Sequence, residues 1–448
     1  IRVPRYSSLT VNAGASLTGD PWNGTIGGII TTEVNGASVI NGSVIATGIG
    51  FRRGVAVNQG NFGGMRFVDL GAGYAEGGEK GEGIAGSQAD YVTFYNGKHS
   101  RGAPANGGGG GNCHNAGGGG GANAGNPATW RGYGITNPTY ATAYNLEFPG
   151  RAAIVSSGGG KGGYSLSNAN INPLVNGPFL TTWSGDFRRP TGGFGGRPLD
   201  YSTGRIFLGG GGGAGEVNNM TGSNTGGHGG HGGGMIYFIT FGNISGTGQI
   251  IANGNNGTTA TGPAPFSGYN GNDAAGGGGG GGTIILNTTG TVSGVNILAN
   301  GGLGGNQVLV KSAFAGAVNE AEGPGGGGGG GYIALSAGAP AQSVLGAISG
   351  TTNSNSMVNF PPNGATNGAP GLSGQSITLY TLSVNPVTVC VNNSATLNAI
   401  SNNPTASFIW YNNLVGTTQI GTGAVFTTSV FTAIGTFTFL AETSPGLY

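Results

Sequence analysis

Short runs of alternating apolar and polar residues recur along the chain, and most of them end at a glycine or an asparagine. The N-terminal region contains two such stretches, SSLTVNAGASLTG (7–19) and ASVINGSVIATG (37–48). Alternation with a period of two predicts half-buried β-strands, and the NG and GG pairs predict tight turns between them. Glycine, proline and β-branched residues interrupt every window long enough for a stable helix. The pattern therefore predicts an all-β chain.

A longer unit also repeats: a glycine run, an apolar strand, a turn and a second short strand. The copies are GGGMIYFITFGNISGTGQIIANGNNG (232–257), GGGTIILNTTGTVSGVNILANGGLGG (280–305) and GGGYIALSAGAPAQSVLGAISG (329–350). Their first apolar residues are 48 and 49 positions apart, at Met235, Thr283 and Tyr332. A fainter copy, GGIITTEVNGASVINGSVIATGIG, covers 27–50. A fixed period of this size predicts stacked supersecondary units, as in a β-helix.

Glycine supplies 104 of the 448 residues, roughly three times its average share. Much of it lies in uninterrupted tracts, at Gly107–Gly111, Gly117–Gly121, Gly209–Gly213, Gly276–Gly282 and Gly325–Gly331. Such tracts are either flexible linkers or extended helices with three residues per turn that pack side by side. Their similar length and their recurrence next to strands favour packed polyglycine layers within a stacked β-scaffold.

Composition divides the chain into four regions. Residues 1–60 form an N-terminal β module, and 61–231 combine glycine tracts with long aromatic-rich insertions. The regular glycine-rich repeats occupy 232–375. In 376–448 glycine thins out, and strand-like runs recur every 8–12 residues, as in a β-sandwich. Cys390 followed by Trp410 is half of the core pattern of an immunoglobulin-like domain.

Charge and hydropathy limit the partners of the protein. Charged residues make up 7% of the chain, and the net charge is +1. A chain this neutral offers nucleic acid no basic surface, so we expect no nucleic-acid partner. No stretch reaches the length of a transmembrane helix, so no transmembrane segment is expected. The start at Ile1, without a leader, and the glycine tracts favour an extracellular protein that is either mature or a fragment.

Few residues indicate chemistry. Glu76, Glu79 and Glu82 recur with a period of three and are candidate calcium ligands, although a solvated turn is the simpler interpretation. His228 and His231 would share one face of a three-residue-per-turn helix, but two ligands alone make a poor metal site. Cys113 shows no partner pattern of a catalytic thiol, and neither a GxSxG element nor a carboxylate pair stands out. We therefore expect no enzymatic activity and, apart from calcium, no cofactor.

The insertions carry the residue types that dominate recognition surfaces, namely aromatic residues and arginine. The candidate ligand-contact residues are Trp130, Arg131, Tyr133, Trp183, Arg188 and Arg189. The alternative is that their aromatic rings fill small cores between the glycine layers. Their ligand would be an extracellular glycan or protein.

The C-terminal region resembles the immunoglobulin-like repeats of large Bacteroidota surface proteins. The resemblance rests on PVTVCVNNSATLNA (386–399), IWYNN (409–413) and GTFTFLAE (435–442). It implies a β-sandwich that ends before its final strand. It also implies a disulfide between Cys390 and a cysteine beyond Tyr448.

The first 375 residues resemble glycine-rich, adhesin-like bacterial surface proteins, through their IxANGGxGG turns and glycine tracts. The resemblance implies a secreted cell-surface adhesin, exported by type 9 secretion and similar to gliding adhesins. Outer-membrane secretion or anchoring machinery would then be a partner. The alternatives are a phage or appendage tip adhesin built on polyglycine layers, an ice-binding protein and, least favoured, a secreted carbohydrate-active enzyme.

Overall fold

A computed structural model describes the protein over residues 3–58, 77–95, 97–112, 114–147, 155–165, 191–218, 226–263, 273–310, 321–378, 380, 382–412 and 418–444. The chain divides into two compact units, Ile1–Ile377 and Thr378–Tyr448. Each unit has its own buried core, and each is described by itself below.

The strands of the first unit pair in parallel. In chain order they are β1 (Arg5–Tyr6), β2 (Leu9–Val11), β3 (Ser16–Thr18), β4 (Ile29–Val34), β5 (Ser38–Ile40), β6 (Ser43–Ile45), β7 (Met235–Thr240), β8 (Ile244–Ser245), β9 (Gln249–Ile251), β10 (Ala260–Pro263), β11 (Thr283–Thr288), β12 (Asn296–Leu298), β13 (Gln307–Val310), β14 (Tyr332–Leu335), β15 (Ala341–Ser343) and β16 (Leu372–Ser376). Their sheets have the orders β1-β4-β7-β11-β14-β16, β15-β12-β9-β6-β3, β2-β5-β8 and β10-β13.

Consecutive strands of a repeat lie in different sheets, whereas equivalent strands of successive repeats lie side by side. Thus β4, β5 and β6 each belong to a different sheet, and β7, β8 and β9 repeat the same order above them. Single bridges from Ile244 to Val292 and from Val292 to Gly338 continue the third sheet. This coiling is that of a parallel β-helix, so the predicted β-helix-like fold is confirmed.

The period seen in the sequence is the register of the stack. Thr283 pairs with Met235 on one side and with Tyr332 on the other, and Ile29 pairs with Met235. The four predicted copies are therefore neighbouring turns of one β-helix. The residues that follow these positions by one are all isoleucines, and they pair with one another as a buried ladder through the core. They are Ile30, Ile236, Ile284 and Ile333. Burying each of these side chains stabilises the fold by roughly 1.5–3 kcal/mol.

The pairing of β4 with β7 joins residues that are far apart in the sequence. Ile29 and Met235 are 206 positions apart, and the chain between β6 and β7 leaves the β-helix and returns to it. Parallel strands always need a crossover connection, and here the crossover contains most of the glycine tracts. The alternation pattern predicts each strand but not this adjacency.

Within the described residues, two short α-helices depart from the predicted all-β pattern. They are α1 (Gln88–Phe94) and α2 (Ala141–Glu147), and 3₁₀ turns occur at Pro138–Tyr140 and Asn355–Met357. Helix α1 begins where it does because the Ser87 side chain accepts from the Asp90 backbone N–H, while the Asp90 carboxylate accepts from that of Ser87. This capping box satisfies two donors that would otherwise lack partners.

The second unit contains two antiparallel three-stranded sheets. Its strands are β17 (Leu382–Val384), β18 (Thr396–Ser401), β19 (Ser407–Tyr411), β20 (Gln419–Thr422), β21 (Val425–Thr427) and β22 (Leu440–Ser444), in the orders β17-β18-β21 and β20-β19-β22. Trp410 is 1% exposed, stacks on Phe426 with ring centroids 5.5 Å apart, and donates from Nε1 to the Gly423 carbonyl at 2.8 Å. The predicted role of Trp410 in the core is confirmed.

Candidate functional site

The glycine tracts of the first unit hydrogen-bond to one another with a period of three. In the tract 117–121, residues three apart donate to the same neighbouring segment, and consecutive residues donate to different ones. The donor–acceptor pairs are Gly117 with Gly163, Gly120 with Gly160, Gly118 with Ala275, Gly121 with Gly278, Gly119 with Gly109, and Ala122 with Asn106. Each tract is thus an extended helix with three residues per turn, bonded to segments on three sides.

Neighbouring tracts run in both directions. The acceptor numbers rise along the tract for Ala275 and Gly278, and they fall for the other two neighbours. Gly277 and Gly280 bond in the same way to Gly213 and Gly210. These hydrogen bonds are those of the packed-layer interpretation, and they are not those of flexible linkers. We call this assembly of tracts the glycine bundle.

The close approach of the tracts excludes any larger side chain. A Cβ atom built at Gly118, Gly119 or Gly120 would lie less than 3.0 Å from a backbone carbonyl oxygen. Backbone atoms of a packed layer cannot move aside as a flexible side chain can. The bundle therefore needs glycine for space, as the collagen axis does.

Three of the six candidate ligand-contact residues lie on the described segment 126–135, at the edge of the bundle. Trp130 is half-buried, and its Nε1 donates to the Gly195 carbonyl at 3.0 Å. Tyr133 packs edge-on against Phe194, with ring centroids 5.6 Å apart. Both aromatic residues therefore rest on the tract 192–196, and their rings contribute to packing.

Arg131, between these two anchors, is exposed. Its Nη1 donates to the carbonyls of Ala128 and Trp130, at 3.3 and 3.1 Å, which holds the guanidinium at the surface with donors to spare. The remaining candidates, Trp183, Arg188 and Arg189, lie outside the described residues.

Two of the three candidate calcium ligands, Glu79 and Glu82, pair with basic side chains. Arg52 holds Glu82 with two hydrogen bonds, Nε–Oε2 at 3.0 Å and Nη2–Oε1 at 3.1 Å. Lys98 Nζ lies 2.8 Å from Glu79 Oε1, and the Val55 N–H donates to Glu79 Oε2 at 2.7 Å. Their carboxylate oxygens thus pair with basic side chains and accept hydrogen bonds from backbone N–H groups. Glu76 lies outside the described residues.

Lys80, between these two glutamates, is almost completely buried. Its Nζ donates to the carbonyls of Ser100 and Gly102, and burial lowers the pKa of its ammonium to about 7. No sequence pattern marked this residue as buried, because lysine is among the residues that are least often found inside a protein.

The first histidine of the candidate pair also hydrogen-bonds to the backbone. His228 Nδ1 accepts from the Ala56 N–H at 2.9 Å, and burial lowers the pKa of both His228 and His231. Within the described residues, no group of three or more His, Cys, Asp or Glu side chains is arranged to hold a metal ion. Cys113 lies outside the described residues. Its neighbour His114 has its pKa lowered by burial.

A second group of acidic residues was not singled out from the sequence. Glu216, Asp273 and Glu322 are at most 2% exposed, and Asn115 lies with them. The sequence feature that could have revealed this group is the constant distance of its acidic residues from the glycine tracts. Glu216 follows the tract 209–213 by three residues, and Asp273 and Glu322 precede the tracts 276–282 and 325–331 by three. Side chains at these positions meet wherever the tracts pack side by side.

The second unit has an open groove between 384–391 and 431–439. Its volume is about 600 Å³, and apolar side chains such as Val387, Leu397 and Phe437 line it. Cys390, which lies in the sequence between the lining residues Val389 and Val391, is an exposed free thiol. The disulfide implied for it stays a prediction.

In the described part of the chain, every helix is too short or too polar to cross a bilayer.

Three comparisons with known proteins bear on the identity of this chain. No curated protein and no solved structure is significantly similar to the chain. Residues 378–445 match the family model described as an Ig-like domain, CHU_C associated. The match covers the strands and the buried Trp410 of the second unit, and this unit is therefore an immunoglobulin-like domain.

Proposed function

We propose that the protein is a non-catalytic adhesin or display protein on a bacterial cell surface. The observation that carries the proposal is the glycine bundle, in which successive residues of a tract are tied to three different neighbours. A scaffold held in this way presents attached segments in one conformation. Preorganised contact residues lose little conformational entropy on binding, which raises affinity.

The contact surface of this adhesin is the segment 126–135, together with the insertions that follow it. Trp130 and Tyr133 fix the backbone against the bundle, and Arg131 presents an exposed guanidinium between them. Exposed aromatic rings near α1 add a second patch, since Phe94 is 70% and Tyr95 is 54% exposed. Aromatic and arginine side chains of this kind recognise glycans and protein surfaces.

The immunoglobulin-like unit supports export to the cell surface. CHU_C-associated domains resemble the repeats of large Bacteroidota surface proteins, so type 9 secretion and a role like that of gliding adhesins belong to the proposal. The ligand would be an extracellular glycan or protein, and the secretion or anchoring machinery of the outer membrane would be a further partner.

The test is binding of the labelled protein to a glycan array and to immobilised matrix proteins, compared with two arginine variants. Arg131→Ala should weaken binding by roughly tenfold or more, the typical effect of losing a recognition hot spot. Arg205→Ala is the matched control, because Arg205 is also an exposed arginine of the first unit. Equal binding of both variants and the wild type would remove Arg131 from the contact surface. Turnover of any arrayed glycan would contradict a non-catalytic role.

A further inference from the structure

Four glycine tracts converge at one end of the bundle, and each carries a polar residue there. Their adjacency follows from backbone hydrogen bonds. Glu216 N donates to the Ala116 carbonyl, Gly323 N to that of Asn115, and Ala274 N to that of Glu216. Residues that are up to 207 positions apart in the sequence, such as Asn115 and Glu322, are therefore direct neighbours.

Two carboxylates meet at a single asparagine. The Asn115 backbone N–H donates to Glu216 Oε2, and its Nδ2 donates to Glu322 Oε1 at 2.8 Å. Asp273 accepts from the Asn218 N–H at 3.1 Å and lies close enough to Glu216 to act on its pKa. Burial is the main cause that raises the pKa of the Glu216 carboxyl to about 8, and the charge of Asp273 adds to it. Negative charge in this dry position is costly.

Buried amide oxygens complete the group without hydrogen-bond partners. Asn115 is 2% exposed, and because its Nδ2 faces Glu322, its Oδ1 is left as an acceptor with nothing to accept. Asn363 is fully buried. Its Nδ2 donates to the Glu322 carbonyl at 3.0 Å, and its Oδ1 also has no partner. A buried acceptor without a donor is destabilising, because it has lost its hydrogen bonds to water.

We propose that this end of the bundle binds a calcium ion through the carboxylates of Glu216 and Glu322 and the amide oxygen of Asn115. Asn363, whose Nδ2 donates to the Glu322 carbonyl, brings a second unpartnered amide oxygen to the same end of the bundle. Two of the three primary oxygen donors are carboxylates and the third is an amide. The group therefore differs from a cluster of three or more acidic or histidine ligands.

The chemistry of the donors selects calcium among the common cations. All of them are oxygen atoms, whereas zinc prefers nitrogen and sulfur. Calcium accepts six to eight oxygens in irregular geometry, and amide oxygens are among its usual ligands. Magnesium demands an octahedral shell and retains several waters, which a site this deeply buried does not accommodate. The ion would join tracts of the bundle at the end where their side chains begin.

Thermal unfolding of the full chain with calcium chloride, with magnesium chloride and with EGTA tests the proposal. Calcium should raise the Tm of the wild type by about 2 °C or more, since a ligand that binds only the folded state stabilises it. Magnesium should have little effect. Isothermal titration should give one calcium ion per chain.

Glu216→Gln and Glu322→Gln are the test variants. Glutamine keeps the shape and an acceptor oxygen but cannot supply the negative charge of a carboxylate ligand. Both variants should therefore fold in EGTA, and both should lose the shift caused by calcium. Glu79→Gln is the control and should keep the shift, because Glu79 pairs with Lys98 elsewhere. The proposal is overturned if the wild type shows no shift, or if both test variants keep it.

Discussion

At the scale of single residues, the glycine bundle is defined by the space available at each position. Chain entropy alone favours alanine over glycine, by about 0.4–1 kcal/mol where the backbone permits it. The backbone permits it at Gly119, whose φ lies outside the left-handed region. Space does not, because a Cβ there would lie less than 3.0 Å from the Phe194 carbonyl oxygen. Overpacking of this kind costs roughly 1–3 kcal/mol and outweighs the entropy gain.

We therefore predict that Gly119→Ala lowers the free energy of unfolding of the first unit by about 1–3 kcal/mol, measured by chemical denaturation. Gly435→Ala is the control. A Cβ there meets nothing closer than 3.9 Å, and its φ is not left-handed. This control should change stability by a few tenths of a kcal/mol at most. Unchanged or increased stability of Gly119→Ala would mean that the tracts are more loosely packed than described.

His99 makes stability depend on pH. Burial, followed by the charges of Lys98 and Lys80, lowers the pKa of its imidazole from 6.5 to about 4. Between these two values the unfolded chain binds a proton that the folded chain does not, so stability falls as the pH falls. The wild type should lose about 3 kcal/mol at pH 4 relative to neutral pH from this group alone.

Comparison with His99→Gln isolates this contribution, because the other titrating groups are shared. The difference in unfolding free energy between the two proteins should change in favour of the variant as the pH falls from 7 to 4. Parallel pH profiles would contradict the prediction, because they would mean that His99 has the same pKa in the folded and the unfolded chain.

At the scale of secondary-structure elements, the sequence predicted what repeats but not what lies beside it. The spacing of Met235, Thr283 and Tyr332 became the register of the β-helix, because equivalent strands of identical repeats pair in place. The adjacency of β4 and β7 was not predictable, since alternation says which face of a strand is buried and not which strand pairs with it. Helix α1 was missed because its capping box outweighs the weak helix propensity around it.

The same limit applies to the candidate site. Trp130, Arg131 and Tyr133 were recognised by residue type, but only the structure separates the two packed aromatic rings from the exposed guanidinium. From the sequence, Glu79 and Glu82 form a row of carboxylates, but in the structure Lys98 pairs with Glu79 and Arg52 pairs with Glu82. Charge partners that are distant in sequence decide what a carboxylate does, and spacing along one segment cannot reveal them.

At the scale of the whole molecule, each of the two units is stabilised internally by different interactions. The first unit combines a β-helix core of isoleucine and valine with a bundle whose cohesion is mainly backbone hydrogen bonding. The second unit is a small sandwich, and among its described residues Trp410 is the largest fully buried side chain. A domain of this size buries a smaller fraction of its surface, and it is correspondingly marginal in stability.

This difference predicts two separate unfolding transitions in calorimetry, with the second unit melting first. The residues 1–377, expressed alone, should retain the higher transition with an unchanged Tm, because the contacts that form its core lie within it. Trp410→Phe in the full chain should lower the first transition only. It removes the hydrogen bond that the buried Nε1 donates to the Gly423 carbonyl, and a hydrogen bond of this kind contributes about 1 kcal/mol to stability. A single transition that shifts as a whole in this variant would show that the two units fold as one.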